Sequence, residues 1–488
     1  MANTGLILAN RAYLDHESPR WADSPPSAGN GGLLAAVRPV IEPWDGESGT
    51  TWVGAGLGRH DREWTDGRGF EFLETPRGPL RHRRLFFTEP MWQGHYAEVS
   101  NSFLWPLFHL VRDDLPARTS YYPAPMPPSE ADWDSFVTVN ASFAEAAAEE
   151  ARANWCWVQD YQLVLVPEIL RARGFGGRIG FFLHIPFPDI RVAAPYLGGA
   201  NGTALASVVR GMLGADLLGF QTEADVERFQ RASVRCAGAL AGEGTVSFEG
   251  RDIQLGAFPV GIDCDDVLEA ARRAKPSPRV AAARKNELPI VVGLERGDFT
   301  KGIPERLEAI TAAFEAGDRF CYLGIAAPTR EGVRAYDALD RAMDDAAHRA
   351  RAAARQAGGS FAHVRANVGW DDVVALQRDA DVVFTSSLSD GQNLVPLQAA
   401  IAQSLRPAEE RAVIITGQDA GAASTFAAFS NEGLVAIDPL DAPAMAATLR
   451  QAIRGRPGRV SDNFIEEVRR RDARSWATSF LGALEAPC

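Results

Sequence analysis

The chain of 488 residues contains no run of about 18 consecutive apolar residues, so no transmembrane helix is expected. Its opening, M-A-N-T-G-L-I-L-A-N-R, has neither a basic n-region nor a long apolar core. No signal peptide is expected, and the chain reads as cytoplasmic. Cysteine is scarce: the five residues Cys156, Cys236, Cys264, Cys321 and Cys488 show no C-x-x-C spacing. Reduced thiols fit better than a disulfide framework or a zinc site. No H-x-x-x-H occurs either. The D-x-D triplets Asp132-Trp133-Asp134, Asp263-Cys264-Asp265 and Asp379-Ala380-Asp381 fall at a predicted helix start, near a predicted hinge and at the N-terminal end of a strand. None of these places suits a cleft metal. An excess of basic charge is also missing, since 50 Lys and Arg face 63 Asp and Glu for a net charge of −13. That argues against broad nucleic-acid binding and against an anionic membrane surface. No repeat with a solenoid period is present.

What is present is a soluble globular composition, 46% hydrophobic and 23% charged. The length is too great for one compact core and predicts two or three domains. Short apolar runs alternate with helical patterns, which indicates doubly wound parallel sheets. In the first half the predicted strands are Gly5–Ala9, Thr51–Val53, Arg178–Leu183 and Asp216–Phe220, with a long helix over Asp134–Ala153. A second series runs through Ile290–Leu294, Phe320–Gly324, Val364–Val368, Asp381–Thr385, Ala412–Thr416 and Leu434–Ile437. The expected fold is α/β, with two Rossmann-like doubly wound domains facing a cleft. Residues 1–256 form the first and 257–464 the second, and a C-terminal helix over 465–488 packs back on the first. Lys275-Pro276-Ser277-Pro278 lies close to the expected hinge. The Ala/Arg-rich run Arg341–Gln356 reads as a solvated helix, because its bases are spread among Ala and acids.

Polar residues gather where these strands end, the place where open α/β sheets bind ligands. In Asp381–Gln398, an apolar strand gives way to Ser386-Ser387 and Asp390-Gly391 and then to helical spacing from Asn393. Such a turn points backbone N–H groups and the positive pole of a helix at one spot and suits a phosphate, though an ordinary βα connection reads the same way. Arg296 and Lys301 follow a buried strand in E-R-G-D-F-T-K-G, and two cations on one loop could neutralise a diphosphate leaving group. A pair of surface cations is the alternative, and Arg330 shares the ambiguity. Asp160 and His184 end strands in the first half. Gly29-Asn30-Gly31-Gly32 lies between strand and helix, where glycine lets backbone approach a ligand. Gly54-Ala55-Gly56-Leu57-Gly58 has Arg59 where the third Gly of a dinucleotide fingerprint would fall, which discounts a nicotinamide or flavin site.

Taken in order, Asn10-Arg11, Gly31-Gly32-Leu33, Ser100-Asn101 with Leu104-Trp105-Pro106, Gln159-Asp160-Tyr161, G-F-F-L-H-I-P-F-P over 180–188, G-A-D-L-L-G-F-Q-T over 214–222, F-T-K-G-I-P over 299–304 and D-G-Q-N-L-V over 390–395 resemble the trehalose-6-phosphate synthase family. The resemblance covers nearly the whole chain. It implies a GT-B, metal-independent retaining glycosyltransferase with no cofactor. The implied partners are a nucleotide-sugar donor and a sugar-phosphate acceptor, with trehalose 6-phosphate as the leading product and homo-oligomers left open. By resemblance, Arg296 and Lys301 hold the donor diphosphate, Gly31 and Gly32 form the loop over it, and the backbone of Asn393, Leu394 and Val395 caps it. His184 and Asp390 contact the transferred sugar. Arg11, Tyr96, Trp105 and Arg330 form the phosphate end of the acceptor pocket, Trp52 lines it, and Asp160 faces the acceptor hydroxyls.

The sequence departs from the family pattern at Gln398, where a Glu usually accepts from the nucleotide ribose, and at Gln159, Gln162 and Gln392. An amide keeps one acceptor oxygen, loses the charge and adds donors. The donor nucleotide therefore stays open among UDP, GDP, ADP and dTDP. Gln162 and Gln392 also resemble the pseudo-glycosyltransferases of aminocyclitol natural-product biosynthesis, and glucosylglycerol-phosphate synthases share the core. An inactive sugar-phosphate-binding regulatory subunit is the reading from a different class. Loss of the diphosphate cations would favour it, and both are present.

Overall fold

The computed structural model describes the chain apart from residues 1–3, 21–26, 29–31, 42, 44, 46–48, 76–77, 151, 331–332, 334–335 and 487–488. The chain forms two compact units. The first comprises Met1–Leu110, Ala124–Phe258 and Trp476–Cys488, and the second comprises Val111–Pro123 and Pro259–Ser475. The change of unit falls between Phe258 and Pro259, close to the expected boundary after residue 256, with Lys275–Pro278 a short way beyond it. That stretch lies inside the second unit, where Ser277 caps the helix Pro278–Lys285. Only residues from Trp476 onward rejoin the first unit, whereas the expected boundary was 465.

In the first unit, ten strands form one sheet. Its core is parallel, in the order Gly78–Leu85, Gly49–Ala55, Thr4–Arg11, Trp155–Gln159, Arg178–Phe182, Leu217–Phe220 and Arg251–Ala257. Antiparallel strands close both edges, Phe70–Thr75 on one side and the pair Leu240–Gly242 and Thr245–Phe248 on the other. The central strands are buried along their length, so they read as continuous apolar runs. The long helix runs over Glu130–Ala148, four residues earlier than expected at its start, because Ser129 caps it by accepting from the Asp132 amide at 3.1 Å.

The C-terminal helix Ala473–Glu485 lays Trp476, Phe480 and Leu484 on this sheet. Glycine makes room for it: a Cβ at Gly180 or Gly219 would fall 2.8 or 2.6 Å from the Phe480 ring.

The second unit carries six parallel strands in the order Ser360–Val364, Cys321–Ala327, Ile290–Arg296, Val382–Phe384, Val413–Gly417 and Leu434–Ile437. The edge strand lies at 360–364 and not at the predicted 364–368, since Ser360 to Val364 pair with Cys321 to Ile325. Beyond it, Arg365 turns out to an ion pair with Asp340. The helix Asp337–Ala357 buries an alanine stripe that includes Ala346, Ala350, Ala353 and Ala354, and Arg341, Arg349 and Arg355 stand off that stripe. Among the described residues no helix is long and apolar enough to cross a membrane.

Candidate active site

In the second unit, two turns after neighbouring strands lock together. The strand Ile290–Arg296 leads into a single 3₁₀ turn, Phe299–Lys301, capped where Asp298 Oδ1 accepts from the Thr300 amide at 3.2 Å. Gly302 follows with φ +56, and a Cβ there would strike the carbonyl oxygen of Ser386. Only glycine serves both demands. The Leu388 amide donates to Thr300 O at 2.7 Å, and Ser386 Oγ lies 2.9 and 2.8 Å from the carbonyl oxygens of Lys301 and Gly302. The consequence is that Lys301 Nζ forms an ion pair with Asp390. Arg296 is exposed where its strand ends.

The helix after the second turn begins at Val395 and not at Asn393, because Asn393 adopts φ +57. Its side chain ties the turn down: Nδ2 donates to Ser387 Oγ at 3.0 Å, and Oδ1 accepts from the Val395 amide at 3.2 Å. With that amide taken and Pro396 lacking one, this helix pole offers fewer donors than an uncapped helix. Gln398 stands in the first turn, and its Oε1 accepts from Nε2 of the buried Gln377 at 3.3 Å. Arg330 belongs to the same unit. It has φ +48, is ion-paired to Asp298 and donates to the Tyr336 hydroxyl at 2.8 Å.

In the first unit, Arg11 is exposed at the end of its strand and donates to Asp15 at 3.2 Å. Trp52 is fully buried, and its indole donates to Arg11 O at 3.1 Å, so it fixes the strand end that presents Arg11. Residues Gln93–Leu104 form a π-helix, a rare geometry often found at functional positions. Three side chains follow the same five-residue spacing: Ser100, Asn101 and Ser102 donate to the carbonyls of His95, Tyr96 and Ala97 at 2.7, 2.8 and 2.8 Å. His95 Nε2 reaches Asn10 Oδ1 at 2.9 Å, and the Tyr161 hydroxyl reaches Asn101 Oδ1 at 3.0 Å. These bonds hold the helix that carries Tyr96 and leads into Trp105 against the strand ends that carry Arg11 and Asp160.

Asp160 has φ 70 and ψ 170, a backbone region that is essentially glycine's own. Its Oδ1 accepts from the His184 amide at 3.1 Å. The His184 ring packs against Phe182 and Trp476, and its Nε2 lies 2.8 Å from Oε1 of the fully buried Gln159. Desolvation pushes the His184 pKa down to about 3, which keeps the ring neutral. With the Nε2 hydrogen donated to Gln159, Nδ1 is left as an acceptor.

Residues 30–486 match the family model for glycosyltransferase family 20. The chain belongs to that family. It is 30% identical to the trehalose-6-phosphate synthase of Mycobacterium marinum, over 98% of this chain and 93% of that protein. It is 28% identical to alpha,alpha-trehalose-phosphate synthase [UDP-forming] A of Dictyostelium discoideum, over 98% of this chain and 62% of that longer protein. Among solved structures, the Burkholderia xenovorans alpha,alpha-trehalose-phosphate synthase (UDP-forming) in complex with glucose-6-phosphate superposes with a TM-score of 0.79 at 25% identity, covering 99% of this chain and 100% of that one. An E. coli structure bound with UDP-2-fluoro glucose gives 0.80 at 23% identity, with full coverage of both chains, which supports the shared GT-B fold.

The family 20 chain is therefore a glycosyltransferase, and its expected site residues divide between the two units. Lys301, Asp390, Asn393, Leu394 and Val395 are brought together in the second, which also carries Arg296 at the end of the strand Ile290–Arg296, Arg330 beyond the strand Cys321–Ala327 and Gln398 in the first turn of the helix Val395–Gln403. Arg11, Trp52, Tyr96, Trp105, Asp160 and His184 are carried by the first. Gly31 lies outside the described residues, and Gly32 opens the helix Gly32–Val37. Glu295, Arg306, Ser387 and Gln377, all buried, carry no role that the sequence alone assigns. Glu295 left a trace, as an acid breaking the apolar run I-V-V-G-L just before Arg296. The other three sit in ordinary helical or turn contexts.

Proposed function

We propose that this family 20 glycosyltransferase moves a hexosyl group, with retention, from a nucleotide sugar to a sugar phosphate, forming trehalose 6-phosphate from an NDP-glucose and glucose 6-phosphate. The observation that carries the reading is the pairing of turns that sets Lys301 on Asp390 beside the pole of the helix Val395–Gln403. A cation and a helix N-terminus together favour a diphosphate, and fixed charge stabilises the departing nucleotide without a metal. A carboxylate at the same spot can accept from sugar hydroxyls. In the first unit, Arg11 with Tyr96 and Trp105 supplies groups suited to a sugar phosphate, and Asp160 supplies an acceptor for its hydroxyls. The neutral His184 ring offers Nδ1 to a hydroxyl of the transferred sugar. The enzyme acts in the cytoplasm.

A second reading, transfer to an aminocyclitol phosphate in natural-product biosynthesis, is favoured by Gln162 and Gln392, while the donor nucleotide stays open at Gln398. Its amide oxygen is already bonded to Gln377, so no carboxylate faces a ribose there. A mass-spectrometric screen separates the two readings, using UDP-, GDP-, ADP- and dTDP-glucose against glucose 6-phosphate, glycerol 3-phosphate and aminocyclitol phosphates. Trehalose 6-phosphate as the main product supports the first. Failure with every phosphorylated acceptor overturns both.

A further inference from the structure

Beneath the Lys301–Asp390 pair lies a second carboxylate, buried, with a hydroxyl between the two. Ser387 Oγ accepts from Asn393 Nδ2 at 3.0 Å, which leaves it one hydrogen to give. Two acceptors lie within reach: Asp390 Oδ2 at 3.1 Å and Glu295 Oε1 at 3.4 Å. The Glu295 side chain is 1% exposed, and its other oxygen is ion-paired to Arg306, whose side chain is fully buried. Arg306 Nη1 also donates to Phe384 O at 3.1 Å and lies 3.3 Å from Ser386 Oγ, so one buried nitrogen gathers all three contacts. Glu295 and Arg306 thus form a permanent pair. The Ser387 hydrogen is the adjustable element. Asp390, in contrast, is satisfied by Lys301, a cation that must share or give up this pair if it is to meet a diphosphate.

We propose that Ser387 and Glu295 are positioning residues of the donor-phosphate site, in which the single Ser387 hydroxyl hydrogen, contested by two carboxylates, stays with Asp390 and so lets Lys301 leave for the diphosphate. The proposal rests on the reading of Lys301 as the donor's cation. A carboxylate that gives up its cation in a half-buried place carries a desolvation cost, and that cost would oppose donor binding. Ser387 removes it by holding one hydrogen bond to Asp390 throughout. Glu295 competes for the same hydrogen from 3.4 Å, and Arg306 keeps that competition weak by occupying its other oxygen. The two residues therefore have opposite effects on donor affinity, which ordinary packing roles would not produce.

Titration calorimetry with UDP and GDP on the full-length protein tests this, together with donor KM, kcat and thermal unfolding. Lys301→Ala is expected to weaken nucleoside diphosphate binding. Ser387→Ala should weaken it about tenfold or more, the scale of a lost hydrogen bond to a charge. Its donor KM should rise in parallel and its kcat fall by much less, and its unfolding temperature should fall by about a few degrees because Asn393 loses a hydrogen bond. Ser387→Thr, which keeps the hydroxyl, should regain most of the affinity. Glu295→Gln should show the reverse pattern, a lower unfolding temperature because Arg306 loses its counter-charge, with diphosphate binding as tight as wild type or tighter. Wild-type affinity in Ser387→Ala beside a weakened Lys301→Ala overturns the proposal and leaves the donor site standing. Equal weakening by Ser387→Ala and Glu295→Gln also overturns it. Wild-type affinity in Lys301→Ala overturns the donor reading itself.

Discussion

Phe480→Ala probes how the end of the chain supports the candidate site. Phe480 is fully buried on the sheet of the first unit. Its ring stacks on Trp157 at 4.7 Å and 12° and meets Phe258 edge-on at 5.3 Å and Phe182 at 5.7 Å. Truncating a buried Phe costs about 3–5 kcal/mol, the higher values where surroundings cannot close over the cavity. Here they cannot, since the sheet below presents Gly180 and Gly219, whose missing side chains leave nothing to move into the space. The loss of aromatic pairs, about 0.5–1.5 kcal/mol each beyond burial, points the same way. We expect about 4–5 kcal/mol, which at roughly 2–4 °C per kcal/mol for a unit of this size lowers its unfolding transition by roughly 8–20 °C. Differential scanning calorimetry measures it, with Phe72→Ala as control, because Phe72 is 62% exposed on an edge strand. A shift no larger than that of the control would refute the cavity argument. The effect should also reach function, because the same helix carries Trp476 against the His184 ring at 5.8 Å.

Arg296→Ala and Lys301→Ala should each lower kcat/KM for transfer by about a hundredfold or more while leaving the unfolding temperature in place, and unchanged turnover in both would sink the assignment. Gln398→Glu should restore a charged acceptor beside the Gln377 amide and tighten UDP about tenfold over 2′-deoxy-UDP in calorimetry; equal effects on the two nucleotides would show that residue 398 does not meet the ribose. Acid should destabilise the first unit before carboxylates titrate. His82 and His95 are buried, and desolvation lowers their pKa values from the ordinary 6.5 to about 4 and about 3. Between those values the unfolded chain binds more protons than the folded one, so stability is present above pH 6.5 and is lost as pH falls, by about 2 kcal/mol from pH 6 to 5 for the two together. A pH-independent unfolding free energy across that interval would refute the neutral, buried assignment.

The second sheet was legible because its strands are buried on both faces and read as continuous apolar runs, as in Ile290–Leu294 and Val413–Ile415. The strand at 360–364 was misplaced because an edge strand is only half covered, so its alternation is blurred and its register is set by a partner 39 residues away, Ser360 against Cys321. The hairpin Phe70–Leu85 escaped notice for a related reason. Its residues Arg81, His82, Arg83 and Arg84 look like a solvated charge run, but His82 and Arg84 are buried against Glu71 at 3.0 and 2.7 Å, a network that only the folded chain reveals. In the candidate site, residues at strand ends were legible by position. Ser387, Glu295 and Gln377 were not, because their roles come from contacts between turns that sequence spacing does not encode.

Backbone strain separates the candidate site from the rest of the chain without reference to any relative. Five described residues other than glycine have positive φ: Asp160, Glu249, Glu287, Arg330 and Asn393. Two have local explanations. Glu249, with Gly250, makes the two-residue turn between the antiparallel strands Thr245–Phe248 and Arg251–Ala257, where positive φ at both positions is the favoured geometry. Glu287 follows the end of the helix Pro278–Lys285, a usual place for a left-handed residue. The other three are residues that the sequence marked for binding or catalysis. Each costs of order 1–3 kcal/mol and persists only where the surroundings over-determine it. That over-determination is visible: the His184 amide holds Asp160, Asp298 and Tyr336 hold Arg330, and Ser387 with the Val395 amide holds Asn393. Asn tolerates the left-handed region better than most residues, but Asp160 at ψ 170 and Arg330 have no such excuse. A chain selected for stability alone would place glycine at 160 and 330. Keeping a carboxylate and a guanidinium there, at that cost, accords with the hydroxyl- and phosphate-binding roles proposed for them.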